Sequence, residues 1–201
     1  MVRIDPPPPE RPVNPAYLSL PIGERLLRIY SPSPSRWNNT PTSFRRWGGP
    51  TQRFDHHVDS EDKSRGIHYS ARTLEGCLVE VFADDGFIST SDRRLGSVLL
   101  NRRLTLLDLR PEGAWQAGTV ASICMGSCHQ IAQKWSCHFY EAYSHIDGLV
   151  YQNAHNGAVA YALYERAEGA LKVEYDIDLS DARLRSRLQV AAEALNLDVT
   201  E

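Results

Sequence analysis

Six side chains set among apolar segments hold most of the chemistry legible in this 201-residue chain. They are Arg28 in LLRIY, Arg53 in QRFDHH, Tyr69 in GIHYSA, Glu80 in CLVEVF, and Asn153 with His155 in QNAHNG. Two guanidinium groups can grip a pyrophosphate bidentately, and an aromatic ring can stack on a heterocycle. One carboxylate can stabilise the positive charge that grows on a sugar as its glycosidic bond breaks. Asparagine and histidine can donate and accept hydrogen bonds beside that centre. Together the six suit a pyrophosphate-linked nucleotide better than they suit a hydrophobic core.

Regular elements must position them. GIHYSA, Gly66 to Ala71, alternates as a strand with Ile67, Tyr69 and Ala71 on one face. Thr73 can cap a helix in which Leu74, Cys77, Leu78, Val81 and Phe82 recur at helical spacing, with Glu80 beside that face. One or two strands follow between Gly96 and Leu109, then a Pro-Glu-Gly turn and a mostly helical stretch from Ala117 to Tyr143. DGLVY, AVAYALYERA and ALKVEYDIDL read as three further strands, the first two joined by the QNAHNG loop. The tail from Ser180 to Leu195 reads as a serine-capped amphipathic helix whose apolar stripe also suits an oligomer contact. Irregular alternation of strands and helices gives an α+β class rather than a doubly wound sheet. No GxGxxG and no P-loop appears, so a nucleotide site must be built from side chains.

The order of these motifs resembles the RES domain, named for its Arg, Glu and Ser, over roughly Leu26 to Ala167. The resemblance implies one catalytic domain with the fold of ADP-ribosyltransferases of the diphtheria-toxin kind, with mixed and antiparallel sheets flanked by helices. It also implies a toxin of a bacterial toxin–antitoxin pair that consumes NAD by hydrolysis, phosphorolysis or ADP-ribosyl transfer. NAD would be a consumed substrate rather than a recycled cofactor. The partners implied are NAD, a cognate antitoxin protein and, for transfer, a protein acceptor. Position by position, Arg28 matches the family's first arginine, Arg53 the arginine of its Gly-Arg-Trp/Phe segment, Tyr69 its strand tyrosine and Glu80 its glutamate. Asn153 stands where the family has serine, so the carried-over catalytic set is Glu80, Arg28 and Asn153, with Arg53, Tyr69 and His155 binding substrate. Because asparagine lacks a hydroxyl, a RES-fold protein that binds NAD or ADP-ribose without turnover is the alternative reading.

Composition bounds the rest. A hydrophobic fraction of 42% with 23% charged residues is ordinary for a globular chain, and this length suits a single domain. The expected organisation is a Pro-rich arm over residues 1–16, a catalytic domain over 17–178 and the C-terminal helix over 179–201. The arm should be extended and poorly packed, because prolines remove amide donors. A net charge of −3 without a long basic run argues against nucleic acid as a partner. One minor alternative is RNA bound by Trp37, Phe44 and Trp47, although that segment better suits a cover for the site mouth. No apolar run of membrane length and no signal-peptide core is present, so the expectation is a soluble, cytoplasmic protein. Cys124, Cys128, His129, Cys137 and His138 lie close together but match no usual zinc spacing, and the adjacent His56 and His57 lack a partner motif. No metal is therefore expected, and a metal-dependent hydrolase or nuclease ranks last.

Overall fold

In the computed structural model, which describes residues 3–33, 39–46, 48–59, 61, 63–126 and 129–200, most strands join one sheet. These strands are β1 (Tyr17–Leu20), β2 (Arg25–Tyr30), β3 (Ile67–Ala71), β5 (Arg94–Leu100), β6 (Leu104–Asp108), β7 (Gly148–Gln152), β8 (Val159–Tyr164) and β9 (Leu171–Asp178). They lie in the order β1-β6-β7-β8-β3-β2-β5-β9. Among the described residues of this sheet only the β6–β7 pair is parallel, as expected of strands joined by a long helical connection. A small second sheet pairs β4 (Phe87–Ser89) with β10 (Asp198–Thr200). The result is a mixed α+β domain.

Helices cover the sheet where its strands present apolar rows. Helix α1 (Leu74–Phe82) starts at Thr73, whose hydroxyl accepts the Gly76 amide at 3.1 Å, the cap expected from the sequence. Leu74, Cys77, Leu78 and Phe82 then pack with Leu27 and Ile29 of β2 and with Leu184, Leu188 and Ala191 around the C-terminal helix α4 (Arg185–Leu195). Val81, expected in that buried row, is exposed instead, and Val79 is buried in its place. Helix α3 (His129–Ala142) lays Trp135 and Phe139 against Leu149, Tyr151, Ala162 and Tyr164 of β7 and β8.

Several local expectations need correction. Pro111-Glu112-Gly113 is not a turn but the first turn of helix α2 (Pro111–Gln116), because proline's fixed φ and missing amide suit the first helical position. The stretch after it divides into a 3-10 turn, Ala121–Cys124, and α3. Ser180 does not cap α4: the chain turns through Asp181, and α4 begins after Leu184 with no side-chain cap. The Pro-rich arm is packed rather than loose. The Asp5 carbonyl accepts from Trp135 Nε1 at 2.8 Å, the Asn14 amide donates to the Gln116 carbonyl at 3.0 Å, and the Arg11 guanidinium lies 3.8 Å over the Trp115 ring. Phe44, offered above as an RNA-stacking ring, is a core residue packed with Leu26 and Val98, while Trp37 and Trp47 lie outside the described residues.

One pairing decides where the functional cleft lies. Strand β2 runs along β5 over six residue pairs but meets β3 at a single pair, Leu27 with Ala71. Past that pair the two strands part, and Arg28, Ile29 and Tyr30 from one and Ile67, Tyr69 and Ser70 from the other line the same cleft. Gly148 holds the opposite side of the sheet. A Cβ there would lie 2.7 Å from the Leu163 Cα and closer still to the Ala162 carbonyl oxygen, so β7 can approach β8 only with glycine. Replacing it with alanine should destabilise the protein by about 1–3 kcal/mol, the usual cost of forcing atoms into packed structure. Equilibrium denaturation of Gly148→Ala checks this, and an unchanged midpoint would sink it.

Candidate active site

The cleft between β2 and β3 has a volume of about 600 Å³, within the range of small-molecule sites. Helix α1 forms one wall with Cys77, Glu80 and Val81, extended by Asp84 just past its end, and the loop at Thr51, Gln52 and Arg53 forms another. Five of the six residues singled out from the sequence line it: Arg28, Arg53, Tyr69, Glu80 and His155. Asn153 does not.

Arg28 is 94% buried, with relative exposure of 6%, and among the described residues it has no carboxylate partner. Its Nη1 donates to the Ser43 carbonyl at 2.8 Å and meets His68 Nδ1 at 2.8 Å, and its Nε is buried without a hydrogen-bond partner. The ion pair with Asp55 or Glu80 that an arginine in an apolar strand suggests is not formed. Burial lowers the Arg28 pKa to about 10, so the group remains a cation at neutral pH. Burial and the Arg28 charge hold His68 well below the usual histidine range, so its ring is neutral and its Nδ1 accepts from the guanidinium. A cation desolvated without a counter-ion is costly to keep, and an anionic ligand would supply the missing charge.

Glu80 is the complementary group. It has no hydrogen-bond or ion-pair partner among the described residues, and its carboxylate is open to the cleft. Burial raises its pKa, and the nearby His155 and Arg53 oppose that rise. Arg53 is half-buried and donates to the Gly126 carbonyl. The Tyr69 hydroxyl is fully engaged within the protein: it donates to Asp55 Oδ1 at 3.1 Å and accepts the Phe54 amide at 3.0 Å. Its ring, not its oxygen, is therefore what a ligand can meet. Cys77 also borders the cleft, but burial pushes its thiol up to about 12, so it is no nucleophile at neutral pH.

Asn153 needs correction as a direct ligand contact. It is fully buried, and its Oδ1 accepts three backbone amides, from His155 at 3.2 Å, Asn156 at 2.9 Å and Gly157 at 3.1 Å. This is a loop staple of the kind short amide side chains favour, and it turns the chain so that His155 borders the cleft. The physical reason is reach: in the turn after β7 the amide carbonyl folds back on its own backbone.

Sequence reasoning passed over Tyr151, Arg45 and Arg93, which also line the cleft. Tyr151 is buried on β7 with its ring 4.8 Å from that of Phe54, and its position in the apolar DGLVY strand made it look like core. Arg45 pairs with Asp55, a contact across a loop that no local spacing announces. Among the described residues no group of three His, Cys, Asp or Glu is gathered to hold a metal, and Cys128 lies outside those residues. No helix among them is long and apolar enough to cross a membrane.

A parted sheet edge, the buried Arg28 cation and the Glu80 carboxylate define a cleft, walled on one side by a helix, whose chemistry suits an anionic ligand. The RES domain model matches residues 25–185, and the chain belongs to the RES domain family. A relative from Sinorhizobium fredii described as "Probable toxin y4kH" is 28% identical over 98 residues, covering 49% of this chain and 77% of the relative. The fold is similar to a chain in the crystal structure of the M. tuberculosis MbcT–MbcA toxin–antitoxin complex, with a TM-score of 0.51 and 17% identity. That match covers 84% of this chain and 90% of the other.

The raised pKa of Glu80 carries a stability consequence. A carboxyl whose folded pKa lies above its unfolded value favours folding at low pH, and that contribution is lost as pH rises through the folded pKa. At neutral pH the ionised Glu80 therefore opposes folding, and Glu80→Gln should melt at a higher temperature than the parent at pH 7. The difference should shrink once the pH falls below the ordinary glutamate range. Melting curves at the two pH values test this, and a lower Tm for the variant at pH 7 would contradict it.

Proposed function

We propose that this chain is the toxin of a toxin–antitoxin pair and consumes NAD by cleaving the bond between nicotinamide and ribose. The observation that carries the reading is the Glu80 carboxylate in the same cleft as the buried Arg28 cation, neither with an ion-pair partner among the described residues. Membership of the RES family and a relative described as a probable toxin support the toxin role. The likeness to a chain from a toxin–antitoxin complex supports a cognate antitoxin protein as partner, and we place the pair in the cytoplasm.

In this reading Arg28 and Arg53 hold the pyrophosphate, and the Tyr69 ring stacks on a ring of the dinucleotide. As the glycosidic bond breaks, its electron pair goes to the nicotinamide nitrogen and positive charge spreads over the ribose C1′ and ring oxygen. The ionised Glu80, in a partly desolvated site, stabilises that charge. His155, presented by the Asn153 staple, supplies a polar contact beside Glu80. A nucleophile then adds to the ribose: water, phosphate or a protein side chain. NAD is a substrate here and leaves as two products.

One observation favours a second reading, binding of NAD or ADP-ribose without turnover. Asn153 is engaged by its own loop and brings no hydroxyl to the cleft.

Nicotinamide release from NAD, with and without phosphate, separates the two. The parent protein should release nicotinamide, and Glu80→Gln should do so about 100-fold or more slowly, the usual loss when one transition-state contact is removed. Unchanged release by the variant would remove Glu80 from the mechanism. Saturable ADP-ribose binding with no release by the parent would favour the second reading. Because Glu80 acts ionised and burial raises its pKa, kcat/KM should climb with pH through a midpoint above that of free glutamate. A flat profile down to pH 4 would count against the assignment.

A further inference from the structure

Arg53 sits on a loop, and a loop places a guanidinium reproducibly only if its backbone is fixed. The fixing group is Asp55, which has no solvent exposure. Its Oδ2 accepts the amides of Thr51 at 2.7 Å and Gln52 at 2.6 Å and pairs with the Arg45 guanidinium. Its Oδ1 accepts the Tyr69 hydroxyl at 3.1 Å, and that hydroxyl in turn accepts the Phe54 amide. The four groups around the carboxylate are all donors. Only an ionised carboxylate satisfies them, because a carboxamide would turn an N–H₂ group toward at least one donor. The residues just before Asp55 are clamped as well: Phe54 is buried against Tyr151, and the Gln52 and Phe54 carbonyls accept from Gln133 and Ser136 of α3.

We propose that Asp55 is a positioning residue of the cleft: its carboxylate folds the Thr51–Phe54 loop so that Arg53 faces the ligand, and through Arg53 it sets affinity for the anionic part of that ligand. The affinity half rests on the nucleotide reading above; the clamp itself does not. Three elements converge on this one side chain. Arg45 arrives from a segment bridged to the start of β3, Tyr69 from β3 itself, and the loop amides from Arg53's own turn. Asp55 touches no ligand in this account, since it is absent from the cleft lining while Thr51, Gln52, Arg53, Arg45 and Tyr69 all belong to it. The Tyr69 hydroxyl thereby gains a role separate from its ring. It couples the strand that forms the cleft floor to the loop that carries the cation.

Two readouts test the halves separately. The first is ADP-ribose affinity, measured by titration calorimetry on the intact chain with Asp55→Asn, Arg53→Ala and the double variant. Asp55→Asn and Arg53→Ala should each weaken binding about 10-fold or more, the effect of losing a charged hydrogen bond. The double variant should bind no worse than the weaker single one, because Asp55 acts through Arg53. Parent-like affinity in Asp55→Asn, or losses that multiply in the double variant, would overturn the proposal. The second readout is amide exchange. Protection at Thr51 and Gln52 should fall in Asp55→Asn and persist in Arg53→Ala, and unchanged protection in Asp55→Asn would overturn the clamp. If the parent binds no ADP-ribose, the nucleotide reading fails, and the exchange data still decide the clamp. Tyr69→Phe serves if Asp55→Asn does not fold. It removes one donor from Asp55 and keeps the ring, so it should weaken ADP-ribose binding and loosen the Phe54 amide, and parent-like values of both would count against the proposal.

Discussion

The single pair that joins β2 to β3 is the constraint on which the site depends. Adjacent strands in a sheet normally satisfy each other's amides and carbonyls along their whole length. Here β2 gives six pairs to β5 and one to β3, so past Leu27 and Ala71 the sheet divides and opens a wall on each side. The division leaves room for side chains that a continuous sheet would exclude. It also lets α1, capped directly after β3, bring Glu80 to the same opening. The cleft is thus a consequence of sheet topology, and the charges within it are arranged on elements that are packed for other reasons.

Those elements are rigid where the chemistry needs them to be. Arg28 is held by the Ser43 carbonyl and a neutral His68, and Glu80 rides on a helix anchored by the core under Leu74, Leu78 and Phe82. The loop that carries Arg53 has no regular structure, yet it is fixed by Asp55, by Phe54 in the core and by contacts to α3. The QNAHNG loop is fixed by the Asn153 carbonyl. A loop secured by buried acceptors can position a side chain nearly as well as a strand does, because each amide it ties removes backbone freedom. Arg28 and Glu80, which have no ion-pair partner among the described residues, both face the cleft. Burial of Arg28 opposes folding, as does the partial desolvation that raises the Glu80 pKa.

Much of this was legible in the chain itself. Local signals are short-range: alternation in GIHYSA, the i, i+3, i+4 spacing after Thr73, and the residue types at 28, 53, 69 and 80 all report on a few neighbouring positions. They gave β3, α1 and its cap correctly, and they picked out five residues that line one cleft. Local signals failed where two structures share one motif. Pro-Glu-Gly suits a turn and a helix start equally, and Val81 sat in a helical apolar row although its turn of α1 faces the opening.

What the sequence by itself determined is the inventory: which side chains can carry charge, which segments must be buried, and which family the order of motifs belongs to. What only the tertiary structure decided is who meets whom. Asp55 joins Arg45 rather than Arg28, the Tyr69 hydroxyl turns to a loop rather than to a ligand, and Asn153 closes its own turn. Pairing of this kind depends on distances between segments far apart in the chain, set by the order of strands in the sheet. No spacing along the sequence encodes those distances, because burial and hydrogen-bond satisfaction are settled only when the whole domain packs.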